Sequence, residues 1–412
     1  MKIRVGIFFG GKSVEHEVSV ISAIQAASAL DPVKYESIPV YITKDNELYT
    51  GPDLLIPASY RDLPGLLMRS RRAVLVRDKG KVYLMEYPKK LFRGQTIAQI
   101  DVAFPVVHGT NVEDGSLQGF LQLHGLPYVG SDVGASAGGM DKWTSKCLMQ
   151  NAGIPVLPGY CFRSTAYDVN RSIVLEEIEK RFIYPMIVKP VNLGSSVGIG
   201  AAHDREELED SIELAASFAE RILIEPMLTH MREINCAVLG DSDSTEVSVC
   251  EEPLSTGEIL SYRDKYLGTA GAAGQSQKEA PAGTIATGGV KGGAKGMESA
   301  LRKMPADLEA DKEEEIKALA QAAFSALNCS GAVRVDFLYD QRDGKVYVNE
   351  LNTIPGSLSF YLWEAAGKPF RQLTDDLVQL ALKRSRLQER LIWSNDLNLL
   401  AGIRQGTKGV KG

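Results

Sequence analysis

Apolar residues recur along this chain at two periods, near 3.6 and near 2, and the switches between them mark out its elements. Ile3 to Phe9 reads as a short buried strand ending at Gly10-Gly11. Ser13 then stands as a helix cap ahead of Val18, Ile21, Ile24 and Ala27, a helical stripe running to Leu30. Val102 to Val107 is a second buried strand, followed by a helix from Ser116 to His124 that stops at Gly125. Such alternation predicts a mostly parallel, doubly wound sheet with ligands at the carboxyl ends of its strands. A second unit starts near Ser131, with a helix from Asp141 to about Gly153, a strand over Pro185–Pro190, the loop Val191–Gly200, a helix over Arg205–Glu220 and a strand over Arg221–Glu225. A third has strands near Glu233–Leu239 and Glu246–Val249 and a helix over Asp311–Leu327. It closes on two period-two segments, Gly331–Tyr339 and Val346–Gly356, which predict a β-hairpin. The chain is thus expected to be α/β in three units, 1–130, 131–227 and 228–390, with a tail over 391–412.

Composition changes this picture at two places. Residues 267–304 are rich in Gly and Ala, as in Thr287–Gly296, and predict a long loop rather than a core element. The tail repeats that character in Gly409–Gly412. Otherwise 44% hydrophobic and 24% charged residues over 412 positions are ordinary for a globular protein of two or three domains. A net charge of −6 offers no basic excess for a nucleic-acid backbone. No apolar run reaches the roughly 20 residues that span a bilayer, and Met1–Ile7 carries no signal-peptide pattern. Cys147, Cys161, Cys236, Cys250 and Cys329 are scattered without C-x-x-C spacing, so reduced thiols in a cytoplasmic protein are expected.

The hairpin carries the densest candidate chemistry. Side chains two apart on a strand share a face, so Arg334 goes with Asp336 and Glu350 with Asn352. Pairing would bring two carboxylates, an amide and a guanidinium onto one surface. That donor set suits Mg²⁺, which takes few protein ligands and completes its shell with phosphate and water. The plainer alternative is a polar face that meets water; the oxygen ligands and cation beside the Pro355-Gly356 turn favour a metal and phosphate site. The second candidate is Lys189 followed by Gly194-Ser195-Ser196-Val-Gly198. Glycines let backbone N–H groups turn to an anion, the serines add donors and Lys189 adds charge. It lacks the G-x-x-x-x-G-K-[ST] pattern, and alone it is equally a connector. Lys142, Glu225 and Glu233 are phosphate or nucleoside contacts or else solvated charges. Glu15 complements a helix dipole or orients a substrate amine. His108 lies at the next strand end. Lys265-Tyr266 opens onto the Gly-rich loop as part of a lid that would exclude water.

Together these segments resemble the D-alanine–D-alanine ligase family of the ATP-grasp enzymes. The matching stretches occur in family order: Gly10–Ser19, Val107–Gly109, Glu113–Gly119, Leu126–Ser131, Met140–Lys142, Val188–Pro190, Gly194–Gly198, Leu223–Glu225, Asp264–Tyr266, Arg334–Asp336 and Asn349–Gly356. The resemblance implies a three-domain ATP-grasp architecture with an N-terminal Rossmann-like domain, and ATP clasped between the other two. It implies phosphoryl transfer from ATP to one D-alanine and attack by the amine of a second, in peptidoglycan precursor synthesis. It implies two Mg²⁺ (or Mn²⁺) held by Asp336, Glu350 and Asn352, and phosphate contacts from Lys142, Lys189, Lys265, Ser195 and Ser196. Glu225 would meet the adenine amine with Met227 beside it, and Glu233 the ribose. Arg334 and the Gly356 N–H would stabilise an oxyanion. Glu15 would bind the first substrate's ammonium and form a set with Ser195 and Tyr266, His108 would assist, and a homodimer is implied.

Two departures stand out. Where the family commonly has serines after its Pro-Gly, one of which grips the second carboxylate, this chain has Ser357-Leu-Ser359-Phe-Tyr361. Tyr361 falls at the expected serine, leaving Ser357 or Ser359 to substitute and the acceptor open between D-alanine, D-serine and D-lactate. Tyr266 favours a dipeptide product. The family's Pro-Ala segment best matches Pro305-Ala306, which makes 267–304 an enlarged lid. A nucleotide-binding regulator without turnover is the competing class, and the full set Arg334, Asp336, Glu350 and Asn352 argues against it.

Overall fold

A computed structural model describes residues 2–89, 94–254 and 302–393. Seven strands form the first sheet: Ile3–Gly10 (β1), Tyr35–Ile42 (β2), Leu48–Thr50 (β3), Arg71–Asp78 (β4), Lys81–Glu86 (β5), Thr96–Ile100 (β6) and Val102–Pro105 (β7). Their order is β6-β5-β4-β3-β2-β1-β7. β1 lies parallel to β2 and β7, with the helix His16–Ala29 as the crossover. From β2 outward every pairing is antiparallel. The expected parallel, wound sheet is therefore confined to three strands, with a meander added at one edge. The reason is local: the β4–β5 connection is Lys79-Gly80, both at positive φ (46° and 79°), a hairpin turn too short for a crossover. Ser13 also caps differently from expectation. The helix starts at His16, and the Ser13 hydroxyl accepts from the Glu15 N–H (3.1 Å) in the turn before it.

Tyr160–Arg163 (β8), Met186–Pro190 (β9), Gly200–Ala202 (β10) and Arg221–Pro226 (β11) form a second sheet in the order β10-β9-β11-β8. The remaining strands are Met231–Gly240 (β12), Thr245–Val247 (β13), Glu252–Pro253 (β14), Arg302–Lys303 (β15), Gly331–Asp340 (β16) and Val346–Asn352 (β17). The third sheet runs β13-β12-β16-β17, and β14 pairs with β15 apart from it. The β16–β17 hairpin has the predicted faces: Arg334 opposes Asn352 and Asp336 opposes Glu350, with a bulge after Asp336.

Three apolar clusters hold these layers. The first joins Phe8, Phe9 and Phe104 of the first sheet to Leu358, Leu362, Trp363, Leu373 and Leu377 from the end of the chain. The helix Phe370–Gln388 thus packs against the N-terminal sheet, and Arg384 donates to the Gly130 and Tyr128 carbonyls (2.6 and 2.5 Å). The second cluster lies between the third sheet and the helix Ala310–Ala326, through Ile316, Ala320 and Phe324. The third fills the second sheet and its helices. Among the described residues no helix is long and apolar enough to cross a membrane. All five cysteines are free thiols.

Candidate active site

Two pockets meet beneath the loop that follows β9. The first, about 600 Å³, is enclosed by Glu15, His108, Glu113, Lys142, Ser195, Arg334, Glu350, Asn352 and Gly356. The second, about 830 Å³, lies between the second and third sheets. It is lined by apolar Leu157, Ile187, Ile199, Met227, Leu228, Met231 and Leu338, with Lys189, Ser196, Glu225 and Glu233 among them. Lys142 and Glu350 line both, and Lys142 Nζ lies 3.2 Å from Glu350 Oε2. Lys142 comes from the first turn of the helix Lys142–Asn151 and also donates to the Leu193 carbonyl (2.5 Å).

At the floor of the apolar pocket, Glu225 is fully buried between two cations. Lys146 Nζ is 2.5 Å from Glu225 Oε1 and Lys189 Nζ is 2.6 Å from Oε2. Burial would push the Glu225 carboxyl up, but Lys189 and Lys146 outweigh it and bring it down to about 2. Lys146 is itself held below its usual range by burial, against the pull of Glu225. Lys189 also donates to Asn349 Oδ1 (3.0 Å), tying the second sheet to β17. Reasoning from sequence does not single out Lys146. The available signal is its four-residue spacing from Lys142, which puts both on one helix face.

In the polar pocket the Ser195 hydroxyl donates to Glu15 Oε1, across 180 positions of chain. Ser195 and Ser196 both sit at positive φ (54° and 60°). A Cβ at Gly194 would lie 2.7 Å from Glu15 Oε2, so a side chain there would displace the Glu15 carboxylate. His108 is buried, with Nδ1 2.9 Å from the Ile354 carbonyl and Nε2 3.0 Å from Ser22 Oγ, and burial lowers its pKa. Ser22 Oγ also accepts the Ser357 N–H (3.0 Å). Glu113 accepts the Gly109 and Ile354 N–H groups (3.0 Å each). Burial raises its carboxyl to about 8, with the Glu15 charge adding to the effect. Sequence places Glu113 in a motif without a role; its environment comes from residues some 240 positions away.

On the hairpin, Arg334 Nε and Nη2 close on Asp336 at 2.6 and 2.7 Å, and Asn352 Nδ2 donates to Asp336 Oδ2 (3.0 Å). Burial would lower the Arg334 pKa, yet Asp336 holds it well above its ordinary value. The donor set Asp336, Glu350 and Asn352 is hard oxygen at neighbouring cross-strand positions, which fits Mg²⁺. No group of three or more His, Cys, Asp or Glu able to hold a metal occurs among the described residues. The site thus suits an ion that needs further oxygens from a bound phosphate.

The segment after Gly356 departs from what the sequence predicts. Ser357, Leu358 and Ser359 are three successive residues at positive φ (52°, 54° and 49°), and both serine hydroxyls are buried without a hydrogen-bond partner. Tyr361, expected to face substrate, does not line the polar pocket; its hydroxyl is buried against Glu251 Oε1 (3.1 Å). Lys265 and Tyr266, and most of the 267–304 lid, lie outside the described residues.

Two four-stranded sheets closing over a cation-lined cleft, behind a mixed Rossmann-like sheet, define an ATP-grasp architecture. Residues 4–131 match the family described as D-ala D-ala ligase N-terminus, and residues 148–285 and 293–379 match D-ala D-ala ligase C-terminus. The chain belongs to the D-alanine–D-alanine ligase family. The D-alanine–D-alanine ligase of Thermosipho melanesiensis is 36% identical over 398 residues, covering 97% of this chain and 98% of that one. That of Caldicellulosiruptor bescii is 37% identical over 401 residues, covering 96% and 99%. Among solved structures, the Coxiella burnetii D-alanine–D-alanine ligase has a TM-score of 0.74 at 28% identity, over 94% of this chain and 96% of that one. The D-Ala:D-Ser ligase VanG of Enterococcus faecalis has 0.72 at 29%, over 92% and 100%.

Proposed function

We propose that this protein joins two D-alanines into D-alanyl-D-alanine at the expense of ATP, for peptidoglycan precursor synthesis. The observation that carries the reading is the junction of a largely apolar-lined pocket with a polar one at Lys142 and Glu350. In this reading adenine lies among Met227, Leu228 and Leu338, with Glu225 and Glu233 toward its amine and ribose. Lys142 and Lys189, with Ser195 and Ser196, neutralise the phosphates. Lys265 would join them. Asp336, Glu350 and Asn352 would hold two Mg²⁺ or Mn²⁺ ions, which would supply neutralising charge at the phosphates.

The first D-alanine binds with its ammonium at Glu15 and its carboxylate toward the junction, His108 alongside. Its carboxylate oxygen attacks the γ-phosphorus, the bond to the bridging oxygen breaks, and ADP leaves. The amine of the second D-alanine attacks the resulting acyl phosphate at carbon. Arg334 and the Gly356 N–H receive the negative charge on the carbonyl oxygen. The C–O bond to phosphate then breaks, the amine gives up a proton, and a peptide bond remains. Tyr266 with Glu15 and Ser195 would close the pocket.

A D-serine acceptor is the second reading, favoured by the two unpartnered hydroxyls of Ser357 and Ser359 and by the likeness to a D-Ala:D-Ser ligase. A cytoplasmic homodimer completes the proposal. The test is ADP release by purified protein with ATP, Mg²⁺ and D-alanine, with D-serine and D-lactate offered in competition and products resolved by mass. Absence of D-alanine-dependent ADP release would refute the ligase reading. A mixed dipeptide as the main product would select the second.

A further inference from the structure

The polar row that begins with Glu350 and Asp336 continues across the third sheet. Asp336 faces Asn235 on its other side, and Asn235 forms a two-way backbone pair with Glu251 (2.9 and 2.8 Å). Directly opposed residues on neighbouring strands point to one face, about 5 Å apart. Glu350, Asp336, Asn235 and Glu251 therefore form a single row, and the last three are buried. The orientation of the Asn235 amide that satisfies both its ends sets its nitrogen 3.3 Å from Asp336 Oδ1 and 3.1 Å from the Ile234 carbonyl.

Glu251 is fixed from its far side. Arg302 Nη1 donates to Glu251 Oε2 (2.8 Å), the Tyr361 hydroxyl donates to Oε1 (3.1 Å), and Arg302 Cζ lies 4.0 Å over the Tyr361 ring. These three side chains are each at most 7% exposed. A buried ionic set of this kind is costly unless each member is paired, so its position beside the site calls for a role.

The charges supply one. Two buried guanidinium groups are paired one to one with two buried carboxylates, Arg334 with Asp336 and Arg302 with Glu251. On the ligase reading, on which this inference rests for the reacting atoms, Asp336 must also serve a cation. One carboxylate cannot neutralise both neighbours in full. Glu251 lies on the same face, and its charge and Tyr361 both act on Arg334.

We infer that Glu251 is a positioning residue for Arg334 and Asp336. It holds the charge balance around Arg334 while Asp336 engages a cation, Asn235 orients Asp336 from within the row, and Arg302 and Tyr361 lock Glu251 in place.

The test is Glu251→Gln, which keeps shape and removes charge, read by steady-state kinetics beside thermal unfolding. The expected result is a fall in kcat of about tenfold or more with KM for ATP within about twofold, and partial recovery in Glu251→Asp. A folded Glu251→Gln protein with wild-type kcat overturns the inference, as does a loss that appears in KM for ATP alone. If that variant does not fold, Tyr361→Phe decides by the same criterion, with a smaller expected loss of about threefold. A second readout needs no turnover: Mn²⁺ titration in the presence of ADP, followed by electron paramagnetic resonance. Asn235→Ala is expected to weaken Mn²⁺ binding about tenfold, and unchanged affinity overturns the role of the row. Wild-type protein that releases no ADP with D-alanine would refute the ligase reading instead, leaving the Mn²⁺ titration to judge the row.

Discussion

Lys142 Nζ stands 3.2 Å from Glu350 Oε2, and both residues line the apolar and the polar pocket where the two meet. A lysine there carries a fixed charge to the point at which a phosphoryl group would cross. Replacing it by Met keeps most of the volume and removes the charge. Lys142→Met is expected to lower kcat/KM for ATP by about 100-fold or more with the fold intact. Coupled ADP-release kinetics and a circular dichroism melt check this; activity within about threefold of wild type would separate Lys142 from the chemistry.

Glu225 gives the site an acid limit. Its carboxyl is depressed to about 2 in the folded protein by Lys189 and Lys146, against an ordinary value of 4.5. A depressed folded value adds stability above the unfolded value and loses it as pH falls toward the folded one. Stability from this residue should therefore be full above about pH 5 and drain away between about 4.5 and 2. Glu225→Gln leaves two buried cations facing each other and should cost a few kcal/mol (about 3) at neutral pH. Urea titrations at pH 7 and pH 4 measure both; a variant as stable as wild type at pH 7 would contradict the assignment.

Glu113 works in the opposite sense. Burial raises its carboxyl from 4.5 to about 8, so the folded state holds a proton that the unfolded chain releases. Its contribution is complete below about pH 4.5 and is lost as pH rises through about 8. Glu113→Gln is a neutral mimic whose single carbonyl oxygen can keep the Ile354 N–H or the Gly109 N–H but not both, since the two are accepted by different carboxyl oxygens, so the pH dependence of the difference is the readout rather than its absolute size. The variant should gain stability over wild type as pH goes from 6 to 9. Melting temperatures across that range decide it, and a constant difference would show that Glu113 does not titrate there.

Ser359 should separate stability from function. Its hydroxyl is buried without a partner and its φ is 49°. Deleting an unsatisfied buried hydroxyl removes a desolvation cost, so Ser359→Ala should melt no lower than wild type. If that hydroxyl meets the acceptor's carboxylate, the same change raises KM for the second D-alanine by about tenfold. Unchanged KM would leave Ser357, also unpartnered, as the remaining candidate.

How much of this is legible in the sequence depends on the range of the interactions. The hairpin faces can be read because a half-buried antiparallel pair has period two, and Arg334, Asp336, Glu350 and Asn352 are set by that alone. Lys189 and Glu225 can be placed at strand ends for the same reason. The β2–β6 extension is not visible, because β3 is only three residues long and a largely helical stretch over 51–70 separates it from β4, so no continuous period of two links these strands. Lys146 reads as one more surface lysine; only the fold buries it against Glu225. The raised carboxyl of Glu113 and the pairing of Asn235 with Asp336 depend on contacts between segments far apart in the chain, which no local pattern encodes.

The turn at Ile354–Ser357 is stitched to the first sheet's connections by His108, Glu113 and Ser22. Those three polar side chains are buried by a segment that leaves the chain some 240 to 335 residues later. Each of them meets a backbone N–H or carbonyl of Ile354 or Ser357, so what the first 130 residues demand of the far end of the chain is a path rather than a set of side chains. Substitutions at 354 and 357 that keep the turn keep the stitch, whereas a proline at either position would delete one of its donors.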